Sequence, residues 1–253
     1  MSGEGPRDAA LDRLAALVAG LGLEPSPPSP CPYLGDRDSR LVALRPNHLT
    51  PRLYRLFLDL NFRRLNALVY RPQCEGCREC RELRVPVQRF RPTRAQRRCL
   101  KRNGDVVAEQ GRPAPSDEKH ALYRRYLETR HDGSMSGSAE EFEEFLLKAP
   151  ELTREVTFRV AGRLLGAGIF DVAEGALSAV YFYFDPELAA RSPGTLNVLW
   201  LVDEARRRGC EWLYLGYHVA GSRVMAYKAG FHPHETLGDD GRYRREGGAL
   251  AVE

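Results

Sequence analysis

The 253-residue sequence lacks the features that would assign it to a membrane, a secretory route or a repeat architecture. No apolar run approaches the roughly 20 residues that a membrane-spanning helix needs. The first 30 residues lack the basic, apolar and small-residue order of a signal peptide, and no internal repeat is visible. We therefore expect a cytoplasmic, monomeric protein without a membrane partner, long enough for one large domain or two small ones.

Acidic residues are missing from one stretch in which basic residues are frequent. Between Arg84 and Arg102 the chain has eight Lys or Arg residues and no Asp or Glu, although its net charge is only +4. A charge run is often no more than a solvated face, but one without a compensating acid favours a polyanionic partner. The sequence therefore predicts a polyanion contact in this stretch.

A second C-x-x-C pair, which would complete the usual zinc spacing, is also absent. The chain instead carries Cys74, Cys77 and Cys80 in a C-x2-C-x2-C run, with Cys31 upstream. In a cytosolic protein clustered thiols more often bind a metal than form disulfides, and four thiolates suit zinc or an iron–sulfur cluster. The alternative is that these cysteines are small buried residues in a tight turn between strands.

The stretch Gly175–Gly230 indicates a strand, a loop, a helix, a second strand and a short helix. Its β-branched and aromatic residues Leu177–Phe184 predict a strand that Asp185-Pro186 ends. The loop Arg191–Thr195 contains Gly194 and precedes the helix. Such a loop is either a tight turn or a site where free backbone N–H groups and the helix dipole bind a phosphate or an acyl carbonyl.

Local capping signals predict where several helices begin. Thr50 stands directly before Pro51, and Thr93 precedes the basic run. Ser116 can cap the next helix, and Ser138 with Glu141 forms a capping box.

The order of predicted elements indicates an α/β (α+β) protein. From Asp105 the order is strand, two helices, three strands, helix, strand, helix and strand, with the second helix over Ala139–Lys148. This order resembles the GCN5-related N-acetyltransferase (GNAT) fold, and a smaller basic, cysteine-bearing α/β region precedes it. The predicted divisions are residues 1–30 (helix and Pro-rich linker), 31–104 (cysteine-bearing basic region), 105–240 (GNAT-like transferase domain) and 241–253 (C-terminal tail).

Several sequence blocks resemble the arginyl-tRNA–protein transferase family. They follow one another over roughly residues 30–235 and are Cys31–Arg37, Tyr70–Cys77, Phe90–Arg98, Tyr126–His131, Leu177–Pro186, Arg191–Thr195, Leu213–Tyr217 and Ser222–Lys228. The short chain and the cysteine block are similar to the bacterial branch of the family, the aspartate/glutamate leucyltransferases. Gly35 departs from that branch, which has proline at this position.

The resemblance implies transfer of leucine from leucyl-tRNA to the α-amine of proteins that begin with Asp or Glu, in N-end-rule degradation. This aminolysis of an activated ester needs positioning, removal of a proton and stabilisation of an oxyanion, but no cofactor, metal or covalent nucleophile. The resemblance assigns the basic stretch to tRNA, through Arg89, Arg91, Arg94, Arg97, Arg98, Lys101 and Arg102.

The candidate site residues come from the same blocks. Those predicted to be catalytic are Tyr183, Asp185, His218 and Lys228, and those predicted to bind substrate are Tyr181, Arg191, Ser192, Gly194, Thr195, Tyr217 and Arg223. Tyr181 and Tyr183 lie on one face of a predicted strand and could instead be core residues. Asp185 could only end that strand, and Lys228 could be a surface lysine. Arg191 favours a functional role because a cation at a helix N-terminus needs an anion that shares the site.

Three other functions fit parts of the pattern. An arginyl donor would use the same cleft with different pocket side chains. A CoA-dependent GNAT acetyltransferase is disfavoured because Leu196 stands where glycine or alanine is typical, and because the N-terminal half is basic. An RNA-binding module with a degenerate transferase fold would bind tRNA without transfer, which the intact loop Arg191–Thr195 argues against.

Overall fold

The computed structural model describes residues 6–130, 137–144 and 151–246. The α-helices are α1 (Pro6–Gly20), α2 (Pro51–Asp59), α3 (Arg94–Arg102), α4 (Asp117–Arg130), α5 (Ala139–Phe142) and α6 (Pro193–Arg207). The strands are β1 (Ser29–Pro30), β2 (Asp38–Ser39), β3 (Leu41–Leu44), β4 (Arg63–Leu65), β5 (Leu68–Pro72), β6 (Arg81–Pro86), β7 (Val106–Gly111), β8 (Thr153–Val160), β9 (Arg163–Ala173), β10 (Ala176–Phe184), β11 (Trp212–His218), β12 (His234–Leu237) and β13 (Tyr243–Glu246). Short 3-10 helices span Pro186–Arg191 and Ala226–Gly230. The predicted α/β class is confirmed.

Helix starts follow the predicted caps. The Thr50 hydroxyl accepts a hydrogen bond from the Leu53 N–H at 3.2 Å, and Thr93 forms a reciprocal capping box at the start of α3. The predicted helix Ala139–Lys148 begins at α5, but residues 145–150 lie outside the described residues. None of the helices in the described ranges has the length and hydropathy that a membrane crossing requires.

The chain divides into two compact units. Unit 1 comprises Met1–Val85 and Tyr214–Glu253, and unit 2 comprises Pro86–Leu213. This division differs from the change of pattern that the sequence shows at residue 104. The basic helix α3 belongs to unit 2 because it packs against α6. A sequence pattern marks where local structure changes, whereas packing between distant segments defines a compact unit.

Unit 1 is built from short strands and two packed helices. Strands β3, β5 and β4 form an antiparallel sheet in that order, and β13, β12, β6 and β11 follow one another in a second sheet. Helix α1 packs through Leu14 and Val18 against Phe57 of α2. The predicted C-terminal tail contributes β13, where the Arg84 guanidinium lies 3.5 Å from the centre of the Tyr243 ring.

Unit 2 has strands β10, β9, β8 and β7 in order, all antiparallel, with helices on both faces. Helix α4 covers one face through a cluster that includes Tyr123 and Tyr183. On α6, the Trp200 ring packs against Phe158 and Phe170 of the sheet, with centroids 6.0 and 5.7 Å away. Because successive strand residues point to opposite faces, these two groups belong to the two sides of the sheet.

Candidate active site

The loop Arg191–Thr195, whose residues are predicted to bind substrate, leads into α6 within unit 2. Ser192 has left-handed backbone geometry (φ 57°), and α6 begins at Pro193, so Gly194 and Thr195 lie in its first turn. No side chain among the described residues caps this helix. A Cβ added to Gly194 would meet no atom within 4 Å. The start of α6 therefore has uncapped N–H groups and open space above Gly194, which suits a phosphate or a carbonyl oxygen.

Arg191 is held by the end of the basic helix and the residues after it. Its guanidinium donates two hydrogen bonds to Asp105, at 2.8 and 3.0 Å, and a third to the carbonyl of Arg102 at 3.2 Å. The Asn103 amide donates to the Arg191 carbonyl at 2.9 Å, and Arg102 donates to the carbonyl of Ala190. The anion that a cation at this position requires is therefore Asp105, the first acid after the basic stretch, which the sequence analysis missed.

The seven basic residues predicted to contact tRNA fall into two groups. Arg102 is committed to the carbonyl of Ala190, while Arg91 and Arg97 donate to nearby backbone carbonyls. The other four have exposed side chains and form no ion pair with the described residues, and they are Arg89, Arg94, Arg98 and Lys101. This second group keeps its charge available for a polyanion.

Asp185 is buried beside two arginines. Its Oδ2 accepts hydrogen bonds from Arg163 at 2.5 and 3.0 Å and lies 3.4 Å from Arg125, while its Oδ1 accepts from the Glu187 N–H at 3.1 Å. The carboxylate thus ends β10 and caps the 3-10 helix Pro186–Arg191. This geometry favours the interpretation of Asp185 as a strand terminator over a direct role in binding an ammonium group.

Tyr183 packs inside unit 2. Its ring contacts those of Tyr123 and Phe142, with centroids 5.5 and 6.1 Å away, and its hydroxyl has no hydrogen-bond partner among the described residues. Burial, and secondarily the nearby Glu155, raise the pKa of Tyr183 well above its ordinary value. Tyr181 is half-buried against the same cluster. The packing favours the core interpretation of Tyr183, whose phenol stays neutral.

Lys228 is a buried residue of unit 1 and not a surface lysine. Its Nζ donates a hydrogen bond to the Tyr217 carbonyl at 2.7 Å. Burial, with a further contribution from Arg63, lowers the pKa of Lys228 to about 7. The Tyr217 hydroxyl donates to the carbonyl of Asn61 at 2.9 Å. The structure therefore brings together two predicted site residues, Tyr217 and Lys228.

Two residues that the sequence analysis missed lie in the same network. Glu82 is fully buried, and its Oε1 lies 3.3 Å from the Arg63 guanidinium and accepts the Gly216 N–H at 2.9 Å. Burial raises the pKa of Glu82 above its ordinary value, and Arg63 opposes that rise. Arg63 lies on β4, Glu82 on β6 and Gly216 on β11, so these contacts join three strands. No local sequence pattern could have related them. Of the remaining predicted residues in unit 1, His218 is half-buried and Arg223 is exposed.

The four clustered cysteines line one cavity of unit 1. The cavity has a volume of about 240 Å³, and its walls also carry Tyr33, Leu34, Tyr70 and Tyr217. The thiol of Cys74 accepts the Arg40 N–H at 3.4 Å, and that of Cys77 lies 3.7 Å from the Arg37 guanidinium. Among the described residues, no three Cys, His, Asp or Glu side chains are grouped as ligands of a metal ion. The side chains as placed do not form a ligand set, so metal or cluster binding by Cys31, Cys74, Cys77 and Cys80 stays a prediction.

Cys80 is expected to resist alkylation in the folded protein. Burial and the three neighbouring thiols raise the pKa of Cys80 to about 12, so almost no thiolate is present at pH 8.5. We expect iodoacetamide at this pH to modify Cys80 about 100-fold more slowly in the native protein than in urea, measured by peptide mass spectrometry. Equal rates in the two states would contradict the burial of this thiol.

The fold and the site define a mixed α/β protein with a basic helix, an uncapped helix start linked to it, and a buried ion-pair network. Two family models match the sequence: that for the N terminus of arginine-tRNA-protein transferase over residues 29–98, and that for its C terminus over residues 118–238. The chain belongs to the arginine-tRNA-protein transferase family, as the sequence blocks had indicated.

Individual relatives carry a more specific name. The chain is 44% identical over 217 residues to the aspartate/glutamate leucyltransferase of Halorhodospira halophila. The aligned region covers 84% of this chain and 91% of the relative. The chain is also 44% identical to the protein of that name from Stenotrophomonas maltophilia, over 84% of this chain and 88% of the relative. A GCN5-related N-acetyltransferase from Kribbella flavida is a similar solved structure, with a TM-score of 0.35, 14% identity, and coverage of 79% of this chain and 65% of that one.

Proposed function

We propose that this protein transfers leucine from leucyl-tRNA to the α-amine of proteins whose first residue is Asp or Glu. The observation that carries the proposal is the 44% identity, over 84% of the chain, to a relative named aspartate/glutamate leucyltransferase. The family name itself mentions arginine, so an arginyl donor is the second candidate. We further propose that the reaction takes place in the cytoplasm and marks the acceptor protein for degradation.

The reaction forms an amide bond and breaks an ester bond. The ammonium group of the acceptor first loses a proton to a base. Its α-nitrogen then attacks the leucyl carbonyl carbon, and the tRNA ribose oxygen leaves as a hydroxyl group, with a proton that balances the one lost by the attacking nitrogen. Because the ester is already activated, the protein has to position the two substrates, take up that proton and stabilise the oxyanion. No step of this reaction requires a metal ion or a covalent bond between the enzyme and the leucyl group.

Each of these tasks has a candidate group. The exposed Arg89, Arg94, Arg98 and Lys101 carry positive charge for the tRNA backbone. The uncapped N–H groups at the start of α6 suit the carbonyl oxygen that becomes an oxyanion. The exposed Arg223 suits the acidic side chain of the acceptor, and Lys228 has an amine whose pKa of about 7 suits a general base.

The proposal is tested by following labelled amino acids from charged tRNA to a reporter protein. We expect leucine to be transferred to reporters that begin with Asp or Glu, and not to otherwise identical reporters that begin with Lys or Arg. Transfer of arginine to the same acidic reporters would show that the donor is arginyl-tRNA and not leucyl-tRNA, while the reaction type would be unchanged. If neither amino acid is transferred while tRNA still binds, the protein is an RNA-binding module and the proposal is wrong.

A further inference from the structure

A second basic feature lies in unit 2, at the far end of β7 from α3. It is an open cleft of about 280 Å³ whose walls are Gln110, Gly111, Arg112, Arg154 and Arg208. Three of these five residues are arginines, and none is acidic. The cleft does not include any residue that the sequence analysis assigned to tRNA or to the active site.

Two of the arginines flank the last pair of the ladder between β7 and β8. Gly111 pairs with Glu155 at the end of this antiparallel ladder; Arg112 follows Gly111 just outside β7, and Arg154 precedes Glu155 in β8. Both arginines line the same small cleft, where two like charges repel each other. Within the described residues neither arginine forms an ion pair with a carboxylate. An anion between them would remove this repulsion.

Hydrogen bonds to neighbouring groups hold two of the three guanidinium groups, those of Arg154 and Arg208. The Arg154 guanidinium donates to the carbonyls of Glu151 and Thr153, both at 2.7 Å. At the end of α6, Arg208 donates to Glu204 at 2.6 Å and to the Gln110 amide oxygen at 3.2 Å. A guanidinium held in this way has less conformational freedom to lose when it binds, and its planar donors match a phosphate.

We propose that this arginine cleft, formed by Arg112, Arg154 and Arg208, binds a phosphodiester group of the tRNA as a second contact separate from α3. The proposal rests on the proposed function for the identity of the polynucleotide. Strand β7 has six residues and therefore spans about 20 Å between α3 and the cleft. A polynucleotide longer than this span can contact both places at once.

The test compares the salt dependence of tRNA binding in the full-length protein and in the double variant Arg112→Ala/Arg154→Ala. Each phosphate contact contributes about 0.7–0.9 to the slope of log affinity against log salt. We therefore expect the affinity loss between 50 and 200 mM KCl to be about three-fold smaller in the double variant than in the wild type, since one phosphate contact is lost. The melting temperature should not fall, because the substitution removes two like charges that line the same cleft.

The matched control is Arg52→Ala/Arg245→Ala, which removes two exposed arginines of unit 1 and the same total charge. It should retain the wild-type slope. If the wild type transfers leucine and the double variant keeps the wild-type slope, the cleft proposal is wrong and the proposed function stands. If the slope falls but no amino acid is transferred, the cleft stands and the proposed function fails. Binding of inorganic phosphate to the cleft with an unchanged tRNA slope would overturn the assignment to a polynucleotide.

Discussion

Glu82→Ala is expected to lower the free energy of unfolding by about 3–5 kcal/mol, the usual cost of removing one partner of a buried ion pair. The substitution would remove the carboxylate that lies 3.3 Å from the buried Arg63 guanidinium and the acceptor of the Gly216 N–H. It would also remove the negative charge that favours the protonated form of Lys228 and opposes the effect of Arg63 on the pKa of that amine. Urea denaturation followed by tyrosine fluorescence and circular dichroism measures the loss.

An exposed ion pair supplies the control, and one of its members is Arg81, the residue before Glu82 in β6. Arg81 and Asp239 are 3.3 Å apart with both side chains well exposed, so Asp239→Ala should cost no more than about 1 kcal/mol. The double variant Arg63→Met/Glu82→Leu should recover much of the loss, because it replaces the ion pair with apolar side chains. If Glu82→Ala is as mild as Asp239→Ala, the buried network does not hold unit 1 together.

Arg191→Ala is expected to reduce the turnover number for leucine transfer by about 100-fold, with little change in stability or in tRNA affinity. The physical reason is positioning: Arg191 joins the residues before α6 to Asp105 and to the carbonyl of Arg102. Both side chains are partly exposed, so the ion pair itself contributes little to stability. A displacement of about 1 Å at a reaction centre can nevertheless cost 10²-fold in rate. Single-turnover transfer assays with saturating leucyl-tRNA measure the effect.

Two further variants separate positioning from direct substrate contact. Asp105→Ala should lower the turnover number by a similar factor, because it removes the carboxylate partner of Arg191 and so breaks the same ion pair. The charge exchange Arg191→Asp/Asp105→Arg should restore part of the rate. If Asp105→Ala has full activity while Arg191→Ala does not, Arg191 contacts the substrate itself and the positioning argument fails.

The hydrogen bonds around Arg191 also connect two features that the proposed function uses separately. Helix α3 carries the exposed basic residues, and its last residues bind the loop from which α6 starts, through Asn103 and Arg102. The thiol of Cys99 adds a contact of 3.6 Å to the Ser192 carbonyl. A tRNA bound to α3 would therefore be fixed relative to the N–H groups at the start of α6. Under the proposed function, this arrangement would give the basic helix a role in orientation as well as in affinity.

The sequence by itself determined most of the local structure. Thr50 and Thr93 cap helices because a hydroxyl next to the first turn satisfies a free N–H group, and Asp185-Pro186 ends β10 because proline cannot continue the ladder. These effects act over two to four residues, so they are visible in the printed chain. The order of elements after Asp105 followed from the same signals, and the family followed from the sequence blocks.

Only the tertiary structure decided which charged side chains form ion pairs within the protein and which remain available to a ligand. Arg191 pairs with Asp105, 86 residues earlier, and Glu82 accepts the N–H of Gly216, 134 residues later. Such pairs depend on how strands and helices pack, and no local pattern relates their members. The same packing buried Lys228 and Tyr183 and placed Arg112, Arg154 and Arg208 around one cleft. Spacing along the chain therefore predicted the helices and strands that carry the candidate residues, whereas burial and long-range pairing decided the electrostatics of those residues.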